Sequence, residues 1–170
     1  MKEQVPIHVN NAIVTLLTEL LDGPPGREAY MLNGGDPGLF GSLDKLSSAE
    51  ASAVGPNGSS VAAHVDHLRY GFHLMNRWSA GENPFATADW GASWRLAAVT
   101  DVEWQELRRG FRDEASRWRS AIAVPREVNA VELAGIIGSV AHTAYHLGAI
   151  RQIHAALRGP RDVSPGNLAS

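Results

Sequence analysis

The chain has 170 residues, of which 44% are apolar and 19% charged, which is an ordinary composition for one globular domain with a sizeable core. A formal charge of -3 with no Lys/Arg cluster excludes the electrostatic footprint of a nucleic-acid or anionic-membrane binder. The absence of cysteine excludes disulfides, thiolate metal ligands and a protein-borne cysteine nucleophile, so any metal site must be built from His, Asp or Glu.

Residues 1 to 10 lack the basic-then-apolar order of a signal peptide, and the expectation is a cytoplasmic protein. Ile13, Leu16, Leu17, Leu20 and Leu21 recur at helical spacing and predict a first helix from near Pro6 to Leu21, stopped by Gly23-Pro24-Pro25-Gly26. The Gly- and Pro-rich stretch that follows, to Asp44, reads as an irregular connection. Ser47 and Glu50 have capping-box spacing for a short helix that ends at Gly55-Pro56. A second long helix is expected from Ser59 or Ser60 to about Trp78, with Val61, Val65, Leu68, Phe72 and Met75 as its inward stripe.

Residues 79–93 read as a loop that folds back over the helices; core and loop packing is the simpler reading of the five tryptophans, and Trp90 and Trp94 are the two candidates to lie over a metal cavity. Thr100 with Glu103 opens a third helix that carries Trp104, Leu107, Phe111, Ala115 and Trp118. Asn129 with Glu132 opens the last helix, expected to reach Leu157 before Gly159-Pro160. Leu133 to Ile150 contains no charged residue and reaches the lower edge of membrane-span length, but two histidines on successive turns would be costly in lipid. It therefore reads as a core helix surrounded on nearly every side. The whole predicts an all-α fold: a four-helix bundle with long irregular connections, the long loop between the second and third long helices giving an up-down-down-up order. One domain spans residues 1–158, and 159–170 form a polar tail.

Seven histidines supply the chemical signal. His142 and His146, at i and i+4, stack on one helix face a turn apart, and His64 and His67, at i and i+3, sit on the second long helix. Two ligands from one helix and one from the other would leave a metal with open positions, as in catalytic sites. Burial of His142 and His146 would demand a partner for each ring nitrogen, and either a shared metal ion or separate hydrogen bonds would meet that demand. His8, His73 and His154 read as surface or helix-edge residues. Asp66, Asp89, Tyr145 and Gln152 are the candidates to orient the rings, and Arg151 reads either as an anion contact or as a helix-end ion pair.

The segment Ser60-Val-Ala-Ala-His-Val-Asp-His-Leu-Arg, together with Ala141-His-Thr-Ala-Tyr-His-Leu-Gly-Ala-Ile-Arg-Gln152, resembles the DinB/YfiT-like proteins. The resemblance covers roughly residues 6 to 157. It implies an up-down-down-up bundle, often dimeric, with zinc or nickel held by one histidine of the second helix and two of the last. Carried over, these are His67, His142 and His146, the His67-Leu68 step selecting His67 over His64, which becomes a packed or ring-orienting residue. The resemblance further implies a transferase acting on a small-molecule substrate with a low-molecular-weight thiol whose pKa the metal lowers. A metal-dependent hydrolase and a non-enzymatic, metal-stabilised bundle are the alternatives.

Overall fold

The computed structural model describes residues 9–26, 28–56 and 58–161. Among them the regular structure is helical, apart from one isolated bridge between Val54 and Ser60. Six α-helices follow in order: α1 Val9–Asp22, α2 Gly38–Leu43, α3 Ser48–Ser52, α4 Val61–Ser79, α5 Asp101–Ala123 and α6 Ala130–Ile153.

The three predicted capping boxes are all formed. Ser47 with Glu50, Thr100 with Glu103 and Asn129 with Glu132 each exchange side-chain and backbone bonds, and the Ser60 hydroxyl accepts from Ala63 N–H to start α4. Each cap satisfies N–H groups that the first turn leaves without a helical partner, worth about 1 kcal/mol apiece. Gly23 ends α1 in the left-handed region at φ 89°. A Cβ there would lie 2.0 Å from the Asp36 carbonyl oxygen, and one on Gly38 would lie 2.3 Å from the Gly23 nitrogen, so these two glycines permit the end of α1 to cross the start of α2 in direct contact.

That crossing is where the sequence reading falls short. The Gly- and Pro-rich connection contains α2, whose Leu39, Phe40 and Leu43 are buried against α1. A six-residue helix carries too few turns for a periodic signal, and its stability comes from burial rather than propensity. Glu19, only 1% exposed, anchors the same region by accepting the backbone N–H groups of Tyr30, Met31 and Leu32 at 2.6 to 3.1 Å.

The four long helices pack α1 on α6, α6 on α4, α4 on α5 and α5 on α1. Gly110 lies against Arg69, and Glu114 bonds both His73 and Asn76, so residue numbers rise together and α4 runs parallel to α5. His146 meets His64 whereas Gly135 meets Trp78, so α6 runs antiparallel to α4. The parallel pair is what the long loop between α4 and α5 allows. The inward stripe of α4 is as expected, with Val61, Val65, Leu68 and Phe72 buried, facing a core that includes Phe111, Trp118, Val140 and Ile150.

Two expectations for the last helix need correction. It ends at Ile153, where His154 turns extended at φ -124° and ψ 97°, and a 3₁₀ turn at Ala155–Leu157 follows. It is also not surrounded: Val131, Ile137 and Tyr145 are 75%, 51% and 71% exposed, and Ala134, Gly138, Ala141 and Gly148 share their face. The helix is long and apolar enough to cross a membrane by length and composition, with a third of that window buried. Because apolar residues occur all round it, periodicity could not say which face is covered.

Candidate metal centre

Antiparallel packing of α4 on α6 brings the pairs His64/His67 and His142/His146 into one cluster. His67 and His146 are 7% and 2% exposed, and His142 is half-buried. The ring centroids of His142 and His146 are 4.5 Å apart, as one helical turn dictates, and His67 stands 5.0 Å from His142 and 4.9 Å from His146. The Nε2 atom of His142 lies 3.1 Å from Nε2 of His67 and 2.9 Å from Nε2 of His146. One ligand atom from each of the three lies within 4.8 Å of the other two.

Proton counting shows that these nitrogens do not satisfy one another. The Ser93 hydroxyl donates to the Trp90 carbonyl at 2.8 Å, so its oxygen accepts from His67 Nδ1–H at 2.9 Å. A neutral imidazole carries one proton, which leaves a lone pair on His67 Nε2. His142 Nε2 then holds either a proton or a lone pair, and it can complete one of its two short contacts but not both. A cation bound by three lone pairs satisfies all three atoms. Nitrogens about 2.0–2.1 Å from a tetrahedral zinc lie about 3.3 Å apart, close to the two spacings seen. The residues present therefore fit a divalent metal ion.

The electrostatics point the same way, since a histidine must be neutral to ligate. Burial, reinforced by His142 and His64, pushes His67 down to about 4. Burial, reinforced by His142, His64 and His67, pushes His146 down to about 3, and burial also lowers His64 and His142. Every shift in the cluster favours the neutral, ligating form.

The groups that orient these rings are not the carboxylates suggested by sequence proximity. Asp66 is engaged by Arg69 at 2.7 Å and Asp89 by Arg95 at 2.6 Å. Tyr145 stands edge-on to His146 with centroids 5.0 Å apart. The orienting contacts come from Ser93 and from His64, whose Nδ1 lies 2.8 Å from His146 Nδ1 and whose Nε2 lies 3.0 Å from Ser59 Oγ. With a lone pair on His146 Nε2, the His146 Nδ1–H donates to His64, whose Nε2–H donates to Ser59, and both rings are fully paired. His64 thus sits behind His146. Nothing local marks Ser93, which reaches His67 through the fold, whereas Ser59 stands just before α4 and five residues from His64.

Trp94 stacks on His67 at 4.4 Å with a 27° interplanar angle and meets His64 edge-on at 5.0 Å, while Trp90 is 5.5 Å from His67. Both tryptophans lie against the cluster. Their loop is held by the Tyr70 hydroxyl, which accepts from Asp89 N–H at 3.0 Å.

The remaining expected residues separate from the site. His73 bonds Glu114 across α4 and α5, and His154 faces Glu50 at 3.8 Å. Arg151 forms an ion pair with the buried Asp36 at 2.7 Å, the helix-end reading. His8 and residues 162–170 of the tail lie outside the described residues. In comparisons with known proteins, no family model, curated protein or solved structure matches the chain.

Proposed function

We propose that the protein is a metal-dependent transferase related to the DinB/YfiT-like proteins, with zinc or nickel held by His67, His142 and His146. The convergence of three neutral Nε2 atoms, two of whose contacts cannot both be hydrogen bonds, carries the reading. Three protein ligands leave a position for an exogenous group. A bound divalent cation lowers the pKa of a small-molecule thiol, supplying a thiolate that a chain without cysteine does not itself provide.

This chain's residues bind and orient. Ser93 and His64 fix the ring directions, and Trp90 and Trp94 limit water at the cluster. Hydrolysis is less well supported, because Asp66 and Asp89 are occupied by arginines and do not stand as general bases. The dimer that the resemblance implies belongs to the same proposal, supported by the exposed apolar face of α6 and testable by sedimentation velocity.

The direct test is metal analysis of untagged protein, followed by turnover of glutathione with 1-chloro-2,4-dinitrobenzene. Near-stoichiometric zinc or nickel and a rate abolished by chelator and by His142→Ala are expected. A rate indifferent to both would overturn the transferase reading.

A further inference from the structure

Between α4 and α6, beside His142, lies a cavity of about 220 Å³. Leu68, Phe72 and Met75 wall it from α4, Trp90 closes one side, and Gly138 lies on the α6 side. No charged residue lines it among the described residues. Its two hydroxyls are already used. Ser139 Oγ donates to the Ile136 carbonyl at 2.7 Å and accepts from Trp118 Nε1–H at 2.9 Å, and Thr143 Oγ1 donates to the Ser139 carbonyl at 2.8 Å. An ionic group placed there would lose its water with no charged partner to replace it, the His142 ring being the one titratable group in the lining.

Glycines hold the space open. A Cβ on Gly71 would stand 3.7 Å from His142 Cε1 and 3.9 Å from the Trp90 ring, so a larger side chain would intrude between the histidine and the tryptophan. Gly138 is exposed at the rim, where a Cβ would meet nothing within 4 Å and a larger side chain has room to reach over the cavity. An apolar cavity of about 150 Å³ accommodates benzene, and this one is somewhat larger.

We infer that the metal centre acts on a substrate bearing an uncharged apolar group, a substituted aromatic ring or a branched alkyl of similar bulk, which fills this cavity and directs the reacting atom toward His142. The orientation rests on the proposed metal site; occupancy of the cavity does not.

Two sets of titrations separate the cavity from the metal. Indole, titrated by isothermal calorimetry into metal-free and zinc-loaded protein, tests the cavity alone. Acetohydroxamate and benzohydroxamate, which share a metal-chelating head and differ by the ring, test its link to the metal. Expected results are indole binding to both forms and at least tenfold tighter binding of benzohydroxamate to the zinc form. Gly138→Leu should remove both while leaving acetohydroxamate unchanged, and Met75→Trp, filling the cavity from α4, should act alike. Absence of indole binding, or equal hydroxamate affinities, overturns the inference. If the protein takes up no zinc, the metal reading fails, and the indole titrations of wild type and Gly138→Leu still decide the cavity.

Discussion

His64 and His146 face each other Nδ1 to Nδ1 at 2.8 Å across the α4–α6 interface, so the fourth histidine of the cluster supports a ligand from behind. Removal of a group that orients a metal-binding histidine typically weakens affinity about 10–100-fold. His64→Ala should therefore keep one metal per chain at reduced affinity, whereas His67→Ala and His146→Ala should lose stoichiometric metal. Calorimetric titration with zinc distinguishes these outcomes. Complete loss in His64→Ala would make it a ligand.

Ser93 tests the proton count. Ser93→Ala leaves His67 Nδ1 without its acceptor and frees the ring to rotate. Zinc affinity should fall about tenfold or more, with little change in the helical circular dichroism. An unchanged affinity would mean that Trp94 stacking alone fixes the ring.

The metal-free protein should weaken in acid. His67 and His146 are held at about 4 and about 3 in the fold, against about 6.5 in an unfolded chain. Between these values the unfolded chain binds more protons, so stability is intact above about pH 6.5 and declines as the pH falls below it, levelling only below the folded values. The urea midpoint should be lower at pH 5.5 than at pH 7.5, and a His67→Gln/His146→Gln double variant should flatten that difference. Equal midpoints in the native sequence would contradict the burial that lowers both rings.

Glu19 is a structural prediction independent of the metal. Burial raises its carboxyl pKa, but the N–H groups of Leu32, Met31 and Tyr30 more than offset this, and the net shift is downward. Glu19→Gln replaces one accepting oxygen by a donor aimed at those N–H groups. A cost of about 1–3 kcal/mol is expected, with α1 and the segment after it loosening first. Urea denaturation measures the loss, and hydrogen exchange at residues 30 to 32 locates it.

Breaking the Asp36–Arg151 pair should cost more. Its side chains are 2% and 15% exposed, so Asp36→Ala leaves a largely buried guanidinium without its partner. Such truncations cost about 3–5 kcal/mol. The double variant Asp36→Ala/Arg151→Met should recover part of the loss, as denaturation midpoints would show.

The sequence by itself determined much of the helical scaffold. Capping pairs at Ser47, Thr100 and Asn129 are local chemistry, encoded within three residues, and the α4 stripe from Val61 to Phe72 follows from helical period alone. The i, i+4 spacing of His142 and His146 likewise fixes their common face. Helix α2 escaped because its stability comes from burying Leu39, Phe40 and Leu43 against α1, a contact that no local pattern announces. The exposed face of α6 escaped for the converse reason: a helix apolar all round does not reveal which side is covered. Spacing left His64 and His67 as alternatives, between which only the resemblance preferred His67; antiparallel packing on α6 assigned them different atoms of the cluster, Nε2 of His67 joining His142 and Nδ1 of His64 backing His146. Ser59 stands only five residues before His64, but Ser93 became the partner of His67 only when the chain folded, because hydrogen bonding depends on distances of about 3 Å that tertiary structure sets for groups far apart in sequence.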